Sequence, residues 1–165
     1  MKTILLTDLI VVFFLFCSER IQAQTTNQHL DQIELMNQFI GTWKIEMGKD
    51  TIVISEYKPF KPGMIDGYVK VFTKKEAIME YRQLLEYDKK MDKIIQTDVF
   101  RGQNNRLLVL WFTSKNSYTV VLQQDISYPD YAVFRAEGEI KSPDLIVNTL
   151  YKNNIPYQVQ TLNRE

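Results

Sequence analysis

The spacing of its breaks constrains this chain more than any other feature. Beyond Gly41 it runs as ten short segments rich in Val, Ile, Tyr, Phe and Thr, separated by three to six residues of turn-forming character. The segments are Thr42–Met47, Thr51–Tyr57, Met64–Thr73, Ala77–Tyr87, Lys93–Arg101, Arg106–Thr113, Ser117–Gln124, Tyr131–Ile140, Asp144–Tyr151 and Ile155–Asn163. Breaks such as "GKD", "GQNN", "SKN" and "KNN" turn the chain through Gly, Asn, Asp and Ser. A parallel crossover needs a dozen residues or more, so gaps this short make neighbouring strands antiparallel. The expected fold class is all-β, an up-and-down meander of about ten strands. Closing it into a barrel removes two exposed edge strands.

The side-chain alternation fits closure. Along Ala77–Tyr87 one face carries Ala77, Met79, Tyr81, Gln83, Leu85 and Tyr87, while Glu80, Arg82 and Glu86 face the other way. Tyr131–Ile140 puts Ala132, Phe134, Ala136, Gly138 and Ile140 on one face, against Arg135, Glu137 and Glu139. "RLLVLWFT" at Arg106–Thr113 is apolar on both faces and needs a cover outside, for which the N-terminal helix is the candidate. That helix is read from Leu30, Ile33, Leu35, Met36 and Phe39, with Asn27 as cap and Gly41 as stop.

Residues 1–23 have the layout of a secretory signal peptide. A positive start, Met1-Lys2-Thr3, precedes the apolar run Leu9–Phe16 and a polar stretch ending at Ala23. The run is far shorter than the roughly 20 residues of a bilayer-spanning helix. Cleavage near Ala23 leaves residues 24–165 as a single domain. Cys17 offers a second, less favoured reading, a lipidated N-terminal cysteine, although Phe16 is large for the position before it. With cleavage the product holds no cysteine and relies on its core alone. The expected location is therefore outside the cytoplasm, periplasmic or secreted. The 20 basic and 20 acidic residues form no long run of either sign, which gives no footprint for a nucleic-acid partner.

A helical turn and then Gly41-Thr42-Trp43, opening the first strand of an antiparallel meander, resemble the calycin superfamily of lipocalins and fatty-acid-binding proteins. "MIDGY" at Met64–Tyr68 and "LEYD" at Leu85–Asp88 resemble segments of a largely uncharacterised bacterial lipocalin-like family of exported proteins. The resemblance implies that Trp43 plugs one end of the barrel, that Arg164 packs across it, and that Gly41 admits the turn into the first strand. It also implies a ligand cavity. The chain departs from lipocalins in its ten strands and lack of disulfides. It departs from fatty-acid-binding proteins in having no room for a helical lid after the first strand.

Few residues offer chemistry. His29 is the one histidine, expected to be a solvated helix residue, so a His-rich zinc site and a Ser-His-Asp triad are excluded. No cofactor and no metal are expected. Glu56, Glu80, Glu86 and Asp98 lie on successive strands and are read as outer, solvated carboxylates. Arg82, Arg101 and Arg135 are read as their cross-strand partners. An inward Gln83 between Tyr81 and Tyr87 needs partners, supplied either by tyrosine hydroxyls in a packed core or by a wet interior. The candidate ligand-binding set is Tyr68, Phe72, Met79, Tyr81, Gln83, Tyr87, Tyr118 and Phe134, with no catalytic residue. The loops "KPFKPG" and "YPD" are candidates for specificity at an open barrel end.

These observations favour a barrel that holds a small, mostly apolar molecule without turning it over. Two alternatives stay open: a barrel enzyme with an inward carboxylate beside Tyr or Arg, and a solid-cored interaction domain.

Overall fold

The computed structural model describes residues 29–74 and 76–165. The leader-like segment, Cys17 and Asn27 lie outside the described residues. Ten strands follow a short helical entry: β1 (Gly41–Met47), β2 (Thr51–Lys61), β3 (Met64–Thr73), β4 (Glu76–Asp88), β5 (Lys93–Phe100), β6 (Arg106–Phe112), β7 (Ser117–Leu122), β8 (Phe134–Ser142), β9 (Leu145–Lys152) and β10 (Ile155–Arg164). Each strand pairs antiparallel with its chain neighbours, and β10 returns to β1, so the sheet is a closed barrel. The closing seam sets Trp43 opposite Arg164 and Ile45 opposite Leu162. Turn chemistry follows the sequence. Asn153 and Asn154 both take positive φ (50° and 63°), the pair a two-residue β9–β10 hairpin requires.

Two boundaries move for identifiable reasons. β2 continues through Pro59 to Lys61, where "KPFKPG" was expected to be loop. Pro59 pairs with Ile65 on β3, while β1 reaches only as far as the level of Tyr57, so no partner on that side loses a donor. β8 starts at Phe134 rather than Tyr131, because Pro129–Tyr131 closes into a 3-10 turn.

The N-terminal helix is shorter than the apolar spacing suggests. α1 covers Gln32–Met36 and tightens into a 3-10 turn at Asn37–Phe39. Asp31 caps it, its carboxylate accepting from the Ile33 and Glu34 amides at 3.0 Å. Exposed His29 precedes it, with Nε2 3.3 Å from Asp92 Oδ2. This entry does not cover the outside of β6. It stoppers one barrel end instead: Met36 and Phe39 join the core cluster, and buried Gln32 bridges the Phe112 backbone, accepting from its amide at 2.8 Å and donating to its carbonyl at 3.2 Å. Outside the barrel, Val109 and Val121 are fully buried, and the 3-10 turn Gln123–Asp125 packs against β6. Lys93 lies over the Trp111 ring at 4.2 Å.

Candidate functional site

The interior changes character along the barrel axis. At the stoppered end Trp43, Ile65, Leu85, Ile94, Phe112 and Ile146 form a dry core. Trp43 Nε1 donates to the Phe39 carbonyl at 2.7 Å, and the Arg164 guanidinium lies 4.3 Å from the Trp43 ring. Arg164 also donates to the carbonyls of Gln38, Ile40 and Pro143. Gly41 carries φ +131° with the Arg164 guanidinium against its Cα, so both the backbone and the available space call for glycine.

At mid-height two rows of paired residues repeat one device. Tyr57, Gly67, Gln83, Asp98 and Arg106 are successive register partners across β2 to β6. Gly67 carries no side chain, and a Cβ there would stand 2.6 Å from the Tyr57 ring. The ring therefore lies across β3, and the Tyr57 hydroxyl donates to Gln83 Oε1. Tyr118, Gly138 and Asn148 do the same on the opposite wall: Tyr118 fills the space over Gly138 and donates to Asn148 Oδ1 at 2.7 Å. Burial pushes the Tyr57 and Tyr118 phenols well above the ordinary tyrosine range.

Asp98 is the centre of the polar network, and it is fully buried. Its Oδ1 accepts from Gln83 Nε2 at 2.6 Å and Gln96 Nε2 at 3.0 Å. Its Oδ2 accepts from Arg106 Nε at 2.8 Å and Nη2 at 2.5 Å. Four donors occupy the lone pairs of one carboxylate, which makes it an anchored counter-ion. Tyr81 stacks on Phe100 with centroids 4.7 Å apart, and burial, then the Asp98 charge, push its phenol up to about 12.

The expected outer position of Asp98 is thus overturned. Ile94, Gln96, Asp98 and Phe100 face inward and Ile95, Thr97 and Val99 outward, a strand with apolar residues on both faces that leaves the choice to its partners. Glu80 and Glu86 are exposed, as read from the alternation, and Glu56 pairs with Lys58. Arg82 forms a surface pair, although with Asp66 and not a glutamate, while Arg135 pairs with exposed Asp130 and half-exposed Glu137 from a side chain that is itself largely buried. Arg106, missed in the sequence, was signalled only by a polar residue opening an apolar strand.

Of the expected ligand-binding set, Tyr81, Gln83, Tyr118 and Phe134 face the interior together. Met79 lies on the same face at the rim, 46% exposed. Two positions are corrected. Tyr68 and Phe72 stand on the outer face, because Tyr68 pairs with Arg82 and Phe72 with Ile52 in rows that point outward. The Tyr68 hydroxyl bonds Glu80. Tyr87 faces inward at the stoppered end, where its hydroxyl donates to Asp92 at 2.9 Å. "KPFKPG" also belongs to the stoppered end, beside Ile33 and Tyr87, around an outer depression of about 480 Å³. "YPD" belongs to the opposite end.

From mid-height towards that opposite end the inward side chains are less completely buried. Val53, Val120, Ala136 and Leu150 retain slight exposure, and inward Leu122, Phe134, Gln158 and Gln160 retain more. Among the described residues, the buried side-chain polar atoms without a partner are Asp125 Oδ2 and Arg135 Nε, neither of which belongs to the Asp98 network. No group of three or more potential metal ligands occurs among the described residues, and none of their helices is long and apolar enough to cross a membrane. Comparison with known proteins returned no matching family model, no matching curated protein and no matching solved structure.

Proposed function

We propose that the barrel binds a small, mostly apolar molecule in its upper half, entering opposite Trp43, without chemical turnover. The observation that carries this reading is the division of the interior. Below the Tyr57–Gln83–Asp98 level Trp43, Ile65, Leu85, Ile94 and Phe112 are buried against one another. Above it, inward Val53, Val120, Leu150 and Phe134 border solvent. An apolar wall with a few fixed polar groups at its base suits small-molecule binding. The stoppered end, with Gly41, Trp43 and Arg164, supports the likeness to calycins. The charged start and short apolar run of residues 1–23 support action after export.

Asp98 inside the barrel beside Arg106 and Tyr81 is the observation that favours an enzyme. Against turnover stands its saturation: with two donors on each oxygen, it has no lone pair free to accept a substrate proton. The test is native mass spectrometry of the purified protein, together with uptake of an environment-sensitive apolar dye. Bound small molecules or dye uptake are expected, and Ala136→Phe, which projects a ring into the upper interior, abolishes both while the protein stays folded. An empty barrel that excludes the dye, or unchanged uptake in the variant, overturns the reading.

A further inference from the structure

The polar groups at the base of the upper interior carry no net charge. Asp98 is the carboxylate at this level and Arg106 the guanidinium, and they are paired with each other. Arg106 is half exposed towards the mouth, while Asp98 is sealed behind it. The other inward polar groups near this level are amides and hydroxyls: Asn148, Gln158 and Gln160, with Gln83 in the row itself, Gln96 one step below Asp98 and Ser55 below Val53 on the same face; Lys152, the partner of Phe134, stands exposed at the rim well above them. Gln83 keeps one N–H beyond its bond to Asp98. Gln96 Oε1 and Asn148 Nδ2 make no hydrogen bond with the described residues, and neither is a buried unpaired atom, so solvent reaches both. Such groups each donate and accept, which matches hydroxyls and amides.

Resting on the proposed interior site, we propose further that it selects uncharged amphiphiles, with a hydroxyl- or amide-bearing head at mid-height and an apolar tail towards the mouth. An anionic head lowered to Gln83 meets the Asp98 carboxylate. To be neutralised it must draw Arg106 away and strand a buried charge. A cationic head meets a carboxylate whose lone pairs are already occupied, beside a guanidinium of its own sign. Only a neutral head leaves the pair intact.

The test is titration calorimetry of the protein with three probes of equal tail: 1-decanoylglycerol, decanoate and decyltrimethylammonium. The glyceride is expected to bind about tenfold or more tighter than either ion. Asp98→Asn frees Arg106 and is expected to move the preference to decanoate. Arg106→Gln, at the half-exposed member of the pair, uncovers Asp98, moves the preference to decyltrimethylammonium and serves if the first variant does not fold. Decanoate binding to the unaltered protein as tightly as the glyceride overturns charge selection while leaving the interior site standing. An unchanged order of affinities in a folded variant does the same. Binding of none of the three overturns the interior site as well.

Discussion

Arg164 joins four parts of the stoppered end: the Trp43 ring, the helical entry through Gln38 and Ile40, the β8–β9 turn through Pro143, and its own strand. Its planar fork reaches several carbonyls at once, which a lysine ammonium on the same stem does not. Losing the cation–π contact, worth about 0.5–2 kcal/mol, and leaving part-buried carbonyls unpaired gives an expected destabilisation of about 2–4 kcal/mol for Arg164→Ala. Arg164→Lys is expected to recover less than half. Urea denaturation followed by Trp fluorescence checks both, and a loss below about 0.5 kcal/mol contradicts the plug. The roles of Gly41, Trp43 and Arg164 were expected from the likeness of the Gly-x-Trp motif and of an arginine in the last strand to a known family. Asp98 and Arg106 were not, because each draws its meaning from the other: a charge is tolerated at zero exposure only where donors converge on it.

At the scale of elements, α1 is too short to be stable alone, and it is held by the barrel. Gln32 is its main tie, closing both backbone groups of Phe112. Gln32→Ala is expected to cost about 1–3 kcal/mol, since it strands a buried donor and acceptor. Hydrogen exchange should then show faster exchange at the Phe112 amide and across α1, with the β3–β4 ladder unaffected; uniform protection across the protein would show that Gln32 is not the tie. The apolar spacing of Leu30 to Phe39 revealed a helix but not its task, because a face that covers a sheet and one that plugs a barrel read alike. "RLLVLWFT" called correctly for a cover, and the cover is the stretch after β7, which the strand-like "YAVF" disguised as the start of β8.

For the whole molecule, the buried tyrosines set a limit at high pH. Tyr81 titrates near 12 in the folded protein against 10 for an ordinary tyrosine, and Tyr57 and Tyr118 are also displaced upward by burial. A raised folded value means the unfolded chain gives up its protons first. The stability of the neutral phenols is therefore complete below pH 10 and is lost as pH rises through about 12. Urea midpoints are expected to fall steeply between pH 10 and 12, with tyrosinate absorbance rising in step with unfolding. Tyr118→Phe, which keeps the ring over Gly138, should make the fall shallower. By itself the sequence determined the strand number, the antiparallel connections and closure, because turn chemistry, period-two alternation and edge avoidance act locally or along one strand. Only the tertiary structure decided which groups meet inside. Tyr57 finds Gln83, and Tyr118 finds Asn148, across a glycine on the strand between, and that encounter depends on the register of three strands at once. Register is fixed by the closed barrel as a unit, and a shift of one residue would turn Asp98 out to solvent and dissolve the site.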